Sequence, residues 1–167
     1  MKVDCTIDGK VLTLDLNSDK PLSLILMEDI GSECANVHCN GNMCGHCIVL
    51  LNGKAVLSCL VPAFAIRGKT VTTFDSYQRT KNYKDIERSY EMIGYKPCSS
   101  CYASRTLLIE SLISHNLTET DDVIREMAML KCDCMEMNDL VKIVQAAAER
   151  RRKRHARKSE ITEHPHA

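Results

Sequence analysis

A chain of 167 residues has room for one ordinary domain or two small ones, and small domains bury too little surface to be secure without metals or cross-links. Met1–Lys10 is charged and holds no apolar run, so neither a secretory leader nor a membrane span is expected. A cytoplasmic location follows as an expectation, where thiols stay reduced and cysteines clustered at ligand spacing read as metal sites before disulfides. The zero net charge divides unevenly: residues 1–149 carry 15 basic against 20 acidic groups, whereas Arg150 onward holds seven basic groups against Glu160 and Glu163. An acidic body suits both an electron-exchanging protein and a merely soluble surface.

In chain order, Val3, Cys5 and Ile7 alternate with Lys2, Asp4, Thr6 and Asp8. Asp8-Gly9 offers a turn, and Val11, Leu12, Leu14 and Leu16 return, which predicts a β-hairpin. Ser18 or Asp19 as cap and Pro21 in the first turn open a helix that buries Leu22, Leu24, Ile25, Leu26 and Ile30 and ends at Gly31. A cysteine-rich loop follows, then strands Cys47–Leu51 and Lys54–Leu57 about Asn52-Gly53, and a last strand over Thr70–Phe74. These elements predict a small α+β unit ending near Asp75.

Ser76–Lys84 is polar and aperiodic and reads as a linker. Beyond it the apolar period becomes helical. Leu107, Leu108, Leu112 and Ile113 share one face of a helix starting near Cys101; Val123, Ile124, Met127 and Leu130 mark a second, capped by Thr118 or Thr120. Leu140, Ile143, Val144 and Ala147 mark a last helix able to run into the basic tail. The division expected is 1–75, a linker 76–84, a helical bundle 85–149, and a basic, flexible tail 150–167.

Eight cysteines form two quartets. Cys39, Cys44 and Cys47 follow C-x4-C-x2-C, with Cys59 after eleven further residues, the plant-type [2Fe–2S] ferredoxin spacing. Asn40, Gly41, Asn42 and Gly45 interleave them and tolerate the positive φ that a loop wrapped around a cluster needs. Zinc, which favours paired C-x2-C knuckles, is the alternative. His38 and His46 flank the loop; Cys44-Gly45-His46 is half of a Rieske pattern whose other half is missing. The second quartet pairs Cys98-x2-Cys101 with Cys132-x-Cys134, each pair at a helix boundary, where helix N-termini favour thiolate charge. Alone it would admit zinc equally. Cys5 reads as a core residue and Cys34 as a bystander to the loop.

The order of motifs resembles the small iron–sulfur subunit of molybdenum hydroxylases, the family of xanthine dehydrogenase, aldehyde oxidoreductase and aerobic carbon monoxide dehydrogenase. The resemblance covers about residues 1–148 and is carried by Gly31, Cys39-x4-Cys44-Gly45-x-Cys47, Leu50-Leu51-Asn52-Gly53, Ser58-Cys59-Leu60 and Gly68 leading to Val71-Thr72-Thr73. It implies an N-terminal ferredoxin-like β-grasp domain and a C-terminal four-helix bundle, with one [2Fe–2S] cluster on Cys39, Cys44, Cys47 and Cys59 and another on Cys98, Cys101, Cys132 and Cys134. It further implies a non-catalytic electron relay from a molybdenum-cofactor large subunit to a flavin subunit or other acceptor, the molybdenum cofactor and FAD residing on those partners. Around the second quartet the chain departs from the family pattern. Pro97 stands where the family has a glutamine that contacts the pterin, and Asp133 where it has arginine. An ionised, poorly solvated Asp133 would make that cluster harder to reduce.

Two other readings remain at this point. One is a two-cluster carrier for a different oxidoreductase; the other is a zinc-stapled module using the basic tail on nucleic acid. Two phenylalanines and no tryptophan argue against base stacking, although five tyrosines are available. No membrane partner is expected.

Overall fold

The computed structural model describes residues 1–15, 17, 19–32 and 44–163, with side chains through Lys158; Leu16 and Ser18 fall outside the described residues. Strands β1 (Lys2–Ile7) and β2 (Lys10–Asp15) form the predicted hairpin, paired Ile7 with Lys10. Its turn takes positive φ at both Asp8 (51°) and Gly9 (80°), the twist-compatible geometry that the Asp-Gly pair favours. The same chemistry closes β3 (Ile48–Leu51) and β4 (Lys54–Leu57) through Asn52 (49°) and Gly53 (82°). Strand β5 (Thr70–Thr72) lies between the hairpins, parallel to β1 and antiparallel to β3, giving the order β2-β1-β5-β3-β4.

The last strand is shorter than the β-branched run suggests. Asp8 accepts hydrogen bonds from the Thr73 N–H and hydroxyl, both at 2.8 Å, which turns the chain out of the sheet and starts α2 (Phe74–Tyr77). The first helix is also short: α1 (Leu22–Leu24) passes into a π-helical turn, Ile25–Asp29, and Pro21 occupies the cap position. Leu22, Ile25 and Leu26 are buried on it, while Leu24 faces out.

Strand alternation sends side chains to two cores. Val3, Cys5, Ile7, Val49 and Val71 pack with α1 and with Val61, Ala63 and Ile66 on one face. Ile48, Leu50 and Ala55 point to the other face and join the core of the helical half. That half comprises α3 (Lys81–Ile93), α4 (Tyr102–Ser114), α5 (Thr120–Met127) and α6 (Met137–Glu163). The segment read as a linker thus contains the end of α2 and the start of α3, with Thr80 accepting the Tyr83 N–H as cap. Glu119 takes the cap position of α5, where Thr118 or Thr120 was expected, and makes no side-chain cap bond.

Helix α4 is buried on nearly every side, from Ser104 to Ile113, so its polar residues need partners. Ser104 and Ser111, two turns apart on one face, accept the N–H groups of Ile48 (3.3 Å) and Ala55 (2.9 Å). Thr106 meets the Tyr90 hydroxyl at 3.1 Å. Glu110 is satisfied by α6: Arg151 donates to it at 3.0 and 2.5 Å. Arg154 likewise pairs with the buried Asp85 of α3 at 2.8 Å. These two carboxylates explain why the basic segment from Arg150 is helical through Glu163, in place of the flexible tail that its charge suggested. No helix among the described residues is long and apolar enough to cross a membrane.

Phe74, Tyr77, Tyr83, Tyr90 and Tyr102 form a mutually tilted aromatic group at the α2, α3 and α4 junction. Burial pushes the Tyr77, Tyr83 and Tyr90 hydroxyls above the ordinary tyrosine range. The native state therefore holds these protons more tightly than the unfolded chain. Stability from this source is full below the usual tyrosine value of about 10 and falls as pH rises beyond it. Alkaline titration followed by circular dichroism is expected to show the loss; constant stability through that range would contradict it.

Candidate metal centre

Cys98 and Cys101 sit on the turn that opens α4, and Cys132 and Cys134 on the segment between α5 and α6. All four are free thiols, and their sulfurs lie within 4.8 Å of one another. Cys98 is 3.3 Å from Cys101 and 3.8 Å from Cys132, and Cys101 is 3.1 Å from Cys134. Sequence spacing predicted this set, and packing of α5 and α6 against α4 assembles it.

The turn favours the thiolate form at Cys98. The Cys98 carbonyl accepts the N–H groups of Cys101 (3.2 Å) and Tyr102 (3.0 Å), which starts the helix. The neighbouring Cys101 thiol, with its sulfur 3.3 Å away, and then the Cys101 backbone lower the Cys98 pKa to about 7. Burial pushes Cys101 far up. Cys132 is raised on balance, its Cys134 amide contact pulling down and the Cys134 thiol and burial pushing up. Amide N–H groups aimed at sulfur favour the deprotonated ligand form. Four soft thiols match tetrahedral zinc and thiolate-held iron–sulfur centres alike.

A residue that the cysteine pattern does not reveal tests whether an anionic centre fits. Arg105 is 2 % exposed on α4. One guanidinium nitrogen donates to the Cys132 carbonyl at 2.9 Å, and another approaches the Met127 sulfur at 3.8 Å. Its Nε has no partner, and no acidic group among the described residues pairs with it. An uncompensated buried charge costs several kcal/mol, on the order of 3–5 when a pair is broken. Thiolates would supply the missing negative charge, so the donor set and its surroundings fit a metal centre. The available signal in the sequence is a lone basic residue inside an apolar helix pattern.

Of the first quartet, Cys39 lies outside the described residues, as do Cys34, His38, Asn40, Gly41 and Asn42. Cys47 is buried, and Cys44 and Cys59 are half-buried. The β3–β4 hairpin pairs Ile48 with Leu57, and the Ser58 N–H donates to the Cys47 carbonyl at 3.0 Å, so hairpin closure brings Cys47 beside the residue preceding Cys59. His46 lines a small pocket with Cys47, Ser58, Thr73 and Ser104. Cys5 is buried in the sheet core, as expected.

The two cysteine regions touch. The Lys131 N–H, one residue before Cys132, donates to the Cys44 carbonyl at 2.9 Å. Gly45, at φ +88°, packs so closely that an added Cβ would collide with the Leu130 Cα and lie 2.6 Å from the Met129 carbonyl oxygen.

No family model matches the sequence. Among curated proteins, the chain is similar to the nicotinate dehydrogenase small FeS subunit of Eubacterium barkeri, at 24% identity over 89% of this chain and 95% of that one. It is 30% identical to the xanthine dehydrogenase iron-sulfur-binding subunit of Escherichia coli O157:H7, over 59% of this chain and 62% of the relative. Against the aldehyde oxidoreductase of Megalodesulfovibrio gigas, identity is 24% over 86% of this chain, which spans only 16% of that longer protein. The fold is that of a chain of quinoline 2-oxidoreductase from Pseudomonas putida 86, with a TM-score of 0.75 at 23% identity, covering 92% of this chain and 96% of that one.

Proposed function

We propose that this chain, a relative of the small iron–sulfur subunits of molybdenum hydroxylases, relays electrons through two [2Fe–2S] clusters from a molybdenum-containing subunit to a flavin subunit or another acceptor. Cys39, Cys44, Cys47 and Cys59 would hold one cluster, and Cys98, Cys101, Cys132 and Cys134 the other. Bound there, the clusters would supply one-electron storage at potentials set by their surroundings. The carrying observation is the contact between the regions, where the Cys44 carbonyl and the Lys131 amide join the two ligand loops by one hydrogen bond.

The strand order β2-β1-β5-β3-β4 with a parallel β1–β5 pair supports reading the first half as a ferredoxin-like β-grasp domain, and α3–α6 support a four-helix bundle. On this reading residues 1–75 and 85–149 are the two units, joined by 76–84. The molybdenum cofactor and FAD belong to partner subunits. Pro97 is buried and offers no donor, which favours a partner contact unlike the glutamine-to-pterin one, or a different oxidoreductase partner altogether. The nucleic-acid reading loses four of its five tyrosines, because Tyr77 and Tyr90 are buried and Tyr83 and Tyr102 join their aromatic group, which leaves Tyr95 and Phe64 exposed. It also loses Arg151 and Arg154 to Glu110 and Asp85.

Metal and sulfide analysis with EPR of the dithionite-reduced protein tests the proposal. About four irons and two distinguishable S = 1/2 signals per chain are expected. Zinc without a signal overturns it. Purification from the native host separates the partner readings, since a molybdenum-containing large subunit co-purifies under the first and not under the second.

Asp133 is exposed between the two ligands, so solvent screens the charge that would have depressed the cluster's potential if buried. The Asp133→Asn variant is expected to leave both midpoints nearly unchanged in an EPR-monitored redox titration. A large upward shift would show that the carboxylate is desolvated in the assembled protein.

A further inference from the structure

We infer that Arg105 is the fixed counter-charge of the Cys98, Cys101, Cys132 and Cys134 site, a positioning residue that raises the reduction potential there and helps retain the anionic centre. The inference rests on the cluster reading above and adds a determinant that the cysteine pattern does not contain.

Arg105 lies four residues after Cys101, so the helix sets both on one face, and its own N–H donates to the Cys101 carbonyl at 2.8 Å. The guanidinium reaches the other half of the ligand set, where it donates to the Cys132 carbonyl at 2.9 Å, with its second terminal nitrogen 3.8 Å from the Met127 sulfur. Among the buried arginines the contrast is plain. Arg151 is neutralised by Glu110, whereas Arg105 has no carboxylate partner among the described residues. A guanidinium does not deprotonate in proteins, so the charge cannot be relieved by titration. The groups able to balance it are the thiol sulfurs.

A positive charge fixed in a poorly solvated place acts strongly on charge placed beside it. Accepting an electron from a reductant adds negative charge to the site and releases none, and Arg105 favours that state. Its removal therefore lowers the potential. It also weakens retention, because four thiolates would lose a buried cation beside them.

The test uses the full-length chain as wild type, Arg105→Gln, Arg105→Lys and Arg105→Met, with iron counted per chain and both EPR signals titrated against potential. In Arg105→Gln, the midpoint of one signal is expected to fall by a tenfold or larger change in the reduction equilibrium, about 59 mV for a one-electron couple, while the other signal stays put. Arg105→Lys is expected to recover most of the shift, and Arg105→Met to behave as Gln. An iron-loaded Gln variant with the wild-type midpoint overturns the inference, as does a Lys variant shifted as far as Gln. If Gln and Met lose the centre, retention by Lys supports the counter-charge and its equal loss overturns it. Wild-type protein that takes up only one cluster's iron defeats the relay reading before any variant is made, so the two failures are told apart.

Discussion

Gly45→Ala is expected to unseat the two cysteine regions from each other and to destabilise the protein by about 2–5 kcal/mol. About 1–2 kcal/mol of this comes from placing an L-residue in the left-handed region and about 1–3 from overpacking. The added methyl meets the backbone of Leu130 and Met129, which cannot swing aside as a flexible side chain would. Displacing that segment also strains the Lys131-to-Cys44 hydrogen bond and shifts Cys132 directly after it. Gly53→Ala is the control. Its φ of +82° is similar, but nothing lies within 4 Å of the added carbon, so only the conformational cost of about 1–2 kcal/mol applies. Urea unfolding of both variants separates the effects. Equal losses would mean that the close approach at Gly45 carries no energy.

Arg151→Met is expected to cost about 3–5 kcal/mol, the range for removing one partner of a buried ion pair. Glu110 would keep the Tyr77 hydroxyl, Ser114 at 2.7 Å and Asn82 at 3.3 Å, but lose the guanidinium that balances its charge. The double variant Glu110→Leu with Arg151→Met is expected to regain most of the loss, since an apolar pair replaces a buried charge pair at little cost. Arg152→Met, one residue on and exposed, should change stability by no more than about 0.5 kcal/mol. A similar small effect at Arg151 would show that its charge is solvated and that the helical extension is not anchored through it.

The parts of this molecule legible in the sequence are those decided by local chemistry. Asp8-Gly9 and Asn52-Gly53 announce their turns because both residues of each pair take positive φ. The spacings of Cys98-x2-Cys101 and Cys132-x-Cys134 announce a shared site because a ligand pair at a helix start needs only a few residues. What depended on distant partners was hidden. Thr73 looks like strand until Asp8, 65 residues away, claims its N–H and hydroxyl. The run from Arg150 looks like a solvated tail until Glu110, 41 residues from Arg151, draws it in. Arg105 is the same case at the site itself. It sits within a helical apolar pattern, and only the fold reveals that its charge is buried against the Cys132 backbone with no acid paired to it among the described residues.

The sharing of one core between the sheet and the helices sets an order on synthesis. Ile48, Leu50 and Ala55 face the same core as Leu140, Ile143 and Val144, so the early hairpin emerges with an apolar side that nothing yet covers. The serines that accept its amide protons arrive on α4, and the arginine that neutralises α4's own carboxylate arrives 41 residues later still. A nascent chain halted before α6 would present a greasy strand pair, the kind of exposed apolar surface that calls for chaperones, and an acid without its base. The helix that closes this core follows the sheet and the other helices in the chain, and until it leaves the ribosome the thiols of the second quartet stand on an unfinished scaffold.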